Sequence, residues 1–399
     1  MARNFGGGKF KRMPWVVGAL VLALSLMYLV QARTQEEGAK NIILLVGDGM
    51  GLADVTAARM FKNGPGGEPL AFETLPEVGY QRTYSANSTL TDSAAAASAW
   101  ATGQKFANGE ISFKTNEKRS VRTILEIAME HGKATGLVTT KTITDATPAA
   151  FGAHVFSRDC QNEIARQYLK ETRVDVLMGG GLSKFSAKTA DDPLECPTYG
   201  GDLLGEAIKG GYALVRTNVQ MEKALGQNPA KLFGLFATGN MTKESEKAEK
   251  SAEPSLEGMT RAALSVLQDD PKGFFLLVEG AQIDTSNHDN DYAGQLGEVL
   301  AFERASKAVL EWLEKDPGRK AETLLIVMAD HETGGFAING PSGRLVNLGE
   351  VIEPAWTSKG HTGVDTVLWA QGPGSEKLGR AAIENTEVFR LMAGVIGAR

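Results

Sequence analysis

NIILLVGDGMG, residues 41–51, sets a continuous apolar run directly against a glycine-rich turn that carries a single acid. A run this short, with no alternation of polar and apolar residues, suits a strand buried on both faces. Similar runs recur at Thr135–Thr139, Val174–Met178, Phe274–Val278, Thr323–Met328 and Thr366–Trp369. Between them lie amphipathic stretches with helical spacing at Ser120–Glu130, Gln161–Glu171, Leu256–Leu267 and Leu296–Lys315. Buried strands alternating with helices predict an α/β fold, a doubly wound, mostly parallel central sheet flanked by helices. Two stretches interrupt the alternation. Gly239–Ser255 is rich in Lys and Glu and reads as a solvated surface excursion, and Gly334–Gly360, punctuated by Gly and Pro, reads as a small inserted cap.

The composition excludes several classes. The chain has 399 residues, 42 % hydrophobic and 23 % charged, so it can bury a large core and is neither disordered nor fibrous. A net charge of −6 argues against a general nucleic-acid binder. Two cysteines are too few for a disulfide scaffold or a cysteine-rich zinc fold.

The chemistry collects where the apolar runs end. NIILLV leads into Gly47-Asp48-Gly49, FFLLV into Glu279-Gly280, and TLLIVMA into Asp330-His331. In open α/β sheets ligands bind beyond the carboxyl ends of the strands, so these acids share one edge. Carboxylates crowded together repel unless protons or cations compensate. Imidazoles accompany them, which favours cations. Asp284 and His288 stand four residues apart, on one face of a helix if helical. His331 adjoins Asp330, and His361 opens a glycine-bracketed loop, residues 360–363. Mixed nitrogen and oxygen donors suit zinc, and an all-oxygen subset suits magnesium. The other two histidines read as structural: His131 as a surface residue closing a helix, His154 as a core residue with no acid beside it in sequence.

A nucleophile candidate stands apart from these runs. In TDSAAAASAWATG, residues 91–103, the alanines form a helix that Gly103 stops and that Thr91 or Asp92 can cap. Ser93 then lies in the first turn, where free N–H groups favour an anion. By itself the segment is a good capping cluster; beside a metal cluster, Ser93 reads as an activated alkoxide. Thr147 offers a neutral oxygen near the carboxylates. Arg158 carries the planar fork suited to phosphate, although on spacing alone it reads as a surface partner of Asp159 or Glu163.

Residues 1–32 hold four basic groups and no acids, with an apolar segment from Met13 to Ala32. This predicts either a signal peptide cleaved after Ala32 or an uncleaved signal anchor, with residues 13–32 as a membrane tether and residues 33–399 as one exported catalytic domain. Export permits a Cys160–Cys196 bridge, with two free thiols as the alternative.

VGDGMG (46–51), TDSAAAASAWATG (91–103), TDATPAAFGAHVFSR (144–158), VEGAQIDTSNH (278–288), ADHETGG (329–335) and GHTG (360–363), in this order, resemble the bacterial alkaline phosphatases. The resemblance spans about Asn41 to Gly372 and implies an exported hydrolase of phosphate monoesters with inorganic phosphate as product and inhibitor. It implies that Ser93 forms a phosphoseryl intermediate and that Arg158, oriented by Asp92, grips the phosphate. One zinc falls to Asp284, His288 and His361, a second to Asp48, Asp330 and His331. A magnesium falls to Asp48, Thr147 and Glu279, with Asp145 behind them. It further implies a homodimer and a periplasmic or extracellular location. Two features depart from the enterobacterial pattern: Thr285 replaces a Lys directly after Asp284, and at most one of two disulfides remains. The rivals are a phosphodiesterase or another bimetal phosphoryl-transfer enzyme of the superfamily, and, more distantly, a non-catalytic module that binds metal or phosphate.

Overall fold

The computed structural model describes Met1 and residues 38–186, 193–248, 250–379 and 382–398. The expected leader, residues 1–32, lies outside the described residues but for Met1. No helix among the described residues is long and apolar enough to cross a membrane.

Ten strands form the central sheet. In chain order they are β1 (Asn41–Gly47), β2 (Glu77–Arg82), β3 (Ala134–Thr142), β4 (Val176–Gly180), β5 (Ala213–Val215), β6 (Leu232–Leu235), β7 (Phe274–Gly280), β8 (Thr323–Met328), β9 (Thr366–Gln371) and β10 (Ala382–Glu384). Across the sheet the order is β10-β2-β9-β8-β1-β7-β3-β4-β6-β5. All pairings are parallel except those of β9, which runs against β8 and β2. The apolar runs therefore became strands, but Thr366–Trp369, read as one more parallel strand, is antiparallel. Parallel neighbours need a crossover of a dozen residues or more to carry the chain back. Only three residues, Gly363–Asp365, separate the short strand at His361–Thr362 from β9. The chain leaves from the carboxyl edge and has to run backwards.

Alternation along the central strands feeds two cores. Ile42, Leu44 and Val46 face one layer with Leu277, Ile326 and Met328, while Ile43 and Leu45 face the other with Leu276, Val278 and Val327. The first layer is closed by α2 (Ser93–Thr102), α3 (Ile124–Glu130), α4 (Ala146–Gly152) and α5 (Gln161–Lys170), the second by α1 (Leu52–Asn63), α6 (Leu256–Leu267), α7 (Gln282–Asp289) and α8 (Tyr292–Glu314). Each buried Leu, Ile or Val contributes about 1.5–3 kcal/mol, so this double core holds the strand ends rigidly in place. The expected doubly wound sheet is what these residues build.

The stretch read as a cap is small. Ala337–Gly340 pairs with Glu353–Ala355, and Phe336, Val346 and Ile352 close over Ala57 of α1. The stretch 239–255 is less detached than its charge suggested, because Met241 is buried and its N–H donates to Thr140 O at 3.1 Å. Cys160 and Cys196 are bridged, with Cα atoms 5.2 Å apart. His131 caps α3, as its place before Gly132 predicted. His154 differs from the core histidine expected. Its Nδ1 faces Ser112 O at 2.9 Å and its Nε2 faces Glu126 Oε1 at 3.0 Å, an acid distant in sequence.

Candidate active site

The strand register gathers the acids. Val46 on β1 lies opposite Met328 on β8 and Glu279 on β7, and Thr139 on β3 lies opposite Glu279. Residues just past these positions, Asp48, Asp330, His331 and Lys141, therefore emerge at one edge. The turn after β1 uses Gly49 at φ +69°, where a Cβ would meet Thr333 Oγ1 at 2.7 Å and Asp284 Cα at 2.8 Å. The N–H groups of Gly49 and His331 both donate to Asp330 Oδ1 at 3.0 Å.

Two groups of donor atoms converge there. Asp48, Asp330 and His331 form one, Asp284, His331 and His361 the other, and within each the ligand atoms lie within 4.8 Å of one another. His288, expected beside Asp284 and His361, joins at the rim. Its Nε2 is 3.2 Å from Asp284 Oδ1 and 3.2 Å from His361 Nε2. His331 thus sits between both sets, its ring stacked on that of His361 at 3.5 Å between centroids.

The ring nitrogens are set by their neighbours. His288 Nδ1 faces Lys359 O, and His361 Nδ1 faces Thr91 O at 2.8 Å, so in each neutral ring Nδ1 carries the proton. Thr333 Oγ1 donates to Asp284 Oδ1 at 2.8 Å and therefore accepts from His331 Nδ1 at 3.2 Å. Three Nε2 lone pairs then point inward among carboxylates, an arrangement of acceptors that a cation completes. Buried oxygens say the same. Asp330 Oδ2, Glu279 Oε1 and Thr147 Oγ1 have no hydrogen-bond partner among the described residues. The donor sets thus fit divalent ions.

The electrostatics show the crowding. Burial pushes the Asp48 carboxyl well above the ordinary range, with Asp284 and Asp330 adding to it. Burial, then Asp145, pushes Glu279 up to about 7. Burial is the largest influence on Asp284 and Asp330 and pushes both up, but Lys141, His288 and His331 together outweigh it at Asp284, and protonated His331 with the Gly49 N–H outweighs it at Asp330, so both lie below the usual carboxylate range. Burial, then His331 when it is protonated, brings His361 down to about 4.

Ser93 opens α2 and is 3 % exposed. Its Oγ lies 3.3 Å from His331 Nε2 and 3.5 Å from Asp48 Oδ1. Asp92, not Thr91, caps the helix, its Oδ1 accepting from Ala95 N at 2.9 Å. Arg158 corrects the reading from spacing. Its Nη1 is 3.2 Å from Asp92 Oδ2 and its Nη2 3.2 Å from Asp145 Oδ1, while Glu163 pairs with Arg166. A planar fork finds two carboxylates converging from α2 and α4, which the exposed Asp159 does not offer. Contacts thus join Asp92, Arg158 and Asp145 on one side and Asp48, Asp284, His288, Asp330, His331 and His361 on the other, with Ser93 against Asp48 and His331.

It also adds residues that the sequence reading passed over. Lys141 Nζ lies 3.0 Å from both Asp48 Oδ2 and Asp284 Oδ2. Burial would lower its pKa, but those two carboxylates outweigh it and hold the ammonium well above the ordinary lysine range. Thr139 Oγ1 donates to Glu279 Oε2 at 2.6 Å, and Thr333 sets Asp284 and His331. Lys141 and Thr139 stand where the run at Thr135–Thr139 ends, the same signal that exposed Asp48, Glu279 and Asp330.

Comparison with known proteins agrees with this geometry. The family model for alkaline phosphatase matches residues 39–353. Streptomycin-6-phosphate phosphatase of Streptomyces griseus is 35 % identical, over 98 % of this chain and 99 % of its own. Alkaline phosphatase of Escherichia coli strain K12 is 33 % identical over 91 % of this chain and 87 % of its own. The structure of alkaline phosphatase from the Antarctic bacterium TAB5 superposes with a TM-score of 0.78 at 30 % identity, covering 91 % of this chain and 99 % of that one.

Proposed function

We propose, from the premise that this chain belongs to the alkaline phosphatase family and is a phosphoric monoester hydrolase, that it hydrolyses monoesters through a phosphoserine on Ser93 in a centre built for two zinc ions. The observation that carries this reading is the position of Ser93 Oγ, at a helix start and 3.3 Å from a histidine shared by two convergent donor groups.

Asp284, His288 and His361 would hold one zinc, and Asp48, Asp330 and His331 the other. When bound, the pair supplies Lewis-acid stabilisation of the entering and leaving oxygens. Of the three residues expected to hold magnesium, Thr147 and Glu279 each present a free oxygen, while Asp48 Oδ2 already accepts from Lys141.

The chain's own groups do the rest. Ser93 Oγ forms a bond to phosphorus as the bond to the alcohol oxygen breaks, and water then cleaves the phosphoserine, releasing inorganic phosphate and restoring the hydroxyl. The Ser93 hydroxyl faces Asp48 Oδ1, an acceptor for its proton. The free N–H groups of the first turn of α2 favour the anion on and beside Ser93. Arg158, braced by Asp92 and Asp145, presents its guanidinium to the phosphoryl oxygens, where charge develops.

The Cys160–Cys196 bridge supports an oxidising location, periplasmic or extracellular, whether the leader is cleaved or tethers the chain. Leu345, Leu348 and Val351 are exposed on the cap, and a second copy in a homodimer would cover them. The experiment is hydrolysis of p-nitrophenyl phosphate with zinc at alkaline pH. It should outrun a matched diester, rise from acid to alkaline pH, stop with chelator, and fall by orders of magnitude in Ser93→Ala. A diester cleaved faster than the monoester would move the chain to the diesterase reading.

A further inference from the structure

Lys141 leaves β3 four residues before Asp145 and points its ammonium into the centre. Nζ lies 3.0 Å from Asp48 Oδ2, 3.0 Å from Asp284 Oδ2 and 4.0 Å from Asp145 Oδ2, and the side chain is only 11 % exposed. It therefore ties together one carboxylate from each of the two donor groups. Thr285, directly after Asp284, brings no charge of its own.

Asp48 divides its two oxygens. Oδ1 faces Ser93 Oγ at 3.5 Å and His331 Nε2 at 3.7 Å, on the side of the second donor group. Oδ2 is the oxygen turned away from Ser93 and His331, and the ammonium is already on it. Two cations on one buried carboxylate oxygen repel strongly, because little water screens them. Charge balance points the same way. Six carboxylates meet here: Asp48, Asp92, Asp145, Glu279, Asp284 and Asp330. Lys141, Arg158 and two divalent ions match them without a third ion.

We propose that Lys141 is the third cation of this centre, its ammonium standing at Asp48 Oδ2 where a magnesium ion would otherwise bind, so that the enzyme works with two divalent ions. The inference rests on the two-zinc reading above. Lys141 acts on the carboxylates and not on substrate, so it is a positioning residue. Thr147 Oγ1 and Glu279 Oε1 remain open donors, which makes the number of bound ions the deciding quantity.

The test uses the full chain loaded with zinc and dialysed against millimolar magnesium, with metals counted per chain by mass spectrometry. Wild type should carry two zinc ions and no magnesium, and its hydrolysis of p-nitrophenyl phosphate should change less than about twofold on adding magnesium. Lys141→Met should gain one magnesium per chain and a rate that rises several-fold with it, and Lys141→Arg should restore the wild-type count. One magnesium bound per wild-type chain overturns the proposal, whether or not the Met variant folds. So does a folded Lys141→Met that binds none. If zinc-loaded wild type hydrolyses no monoester, the two-zinc reading itself falls; if it hydrolyses while carrying magnesium, only the role of Lys141 does.

Discussion

Arg158 is braced by the carboxylate that caps the helix opened by Ser93: Asp92 Oδ2 lies 3.2 Å from Arg158 Nη1, while Asp92 Oδ1 accepts from Ala95 N. One side chain therefore fixes both the start of α2, where Ser93 sits, and the cation expected to hold the phosphoryl oxygens. Asp92→Ala should lower stability by about 1 kcal/mol through the lost cap and kcat/KM on the order of a hundredfold through the loosened guanidinium. Asp92→Asn keeps a capping oxygen and should lose activity with little change in melting temperature. Steady-state kinetics and thermal melts on the two variants check this; unaltered kcat/KM in Asp92→Ala would contradict the coupling.

Gly49 should be intolerant for a reason separable from backbone strain. Gly49 and Gly64 both have positive φ, +69° and +80°, but only at Gly49 would a Cβ strike other groups, Thr333 Oγ1 and Asp284 Cα. Gly64, at φ +80° and ψ 167°, sits where essentially only glycine goes, so Gly64→Ala should cost about 1–3 kcal/mol and keep activity. Gly49→Ala should also displace Asp284, so bound zinc and activity should fall together. Equal behaviour of the two variants would show that the turn after β1 does not position the centre.

His154 makes a pH-dependent contribution to stability. Both ring nitrogens face acceptors, Ser112 O and Glu126 Oε1, so the protonated ring satisfies both. Burial opposes that charge, but Glu126 outweighs it and raises the His154 pKa above 6.5; His154 in turn outweighs burial at Glu126 and lowers its pKa below 4.5. The histidine's contribution is complete below its unfolded pKa and fades as pH rises through the higher folded value. That of Glu126 is complete above its unfolded pKa and fades as pH falls through the lower folded value. Melts of wild type and His154→Gln should differ most near pH ~5.5, by about 1 kcal/mol for this half-buried pair, and least above pH ~8. A difference independent of pH rules out the ionic pair.

Most of this centre could be read from the sequence because strand ends announce themselves. Apolar runs stop at Asp48, Glu279 and Asp330, and a parallel sheet with a buried core brings such ends to one edge. The direction of β9 was not legible, because the run at Thr366–Trp369 is equally apolar whichever way it points; the short link from His361 settles it. Spacing alone pairs Arg158 with the wrong acids, because near neighbours in sequence, Asp159 and Glu163, compete on paper with Asp92 and Asp145, which folding brings close; the motif resemblance already joined it to Asp92. Likewise His154 has no acid beside it until α3 delivers Glu126. Lys141 obeys the same strand-end rule as Asp48. It was overlooked because a lysine among expected cation ligands carries the wrong sign, and its place is evident only when two carboxylates are seen around it.

The Cys160–Cys196 bridge closes a loop of 36 residues, from the start of α5 to the stretch before residue 203. Loop closure of that length contributes about 4 kcal/mol, chiefly by restricting the unfolded chain. Cys160→Ser and Cys196→Ser should therefore destabilise by similar amounts and leave kcat near wild type at low temperature, since neither thiol touches the centre. Reductant should lower the wild-type melting temperature towards that of the variants; a melting temperature indifferent to reductant would show that the bridge does not stabilise the fold.

The central claim is that Ser93 takes the phosphoryl group. The direct measurement is peptide mass spectrometry of zinc-loaded chain mixed with excess phosphate monoester and stopped in acid within a single turnover. One phosphoryl group should appear on Ser93 in the peptide spanning TDSAAAASAW, and it should be absent when chelator precedes substrate. Turnover of the monoester with Ser93 unmodified at every time point, or with the phosphoryl group on another residue, would contradict that claim.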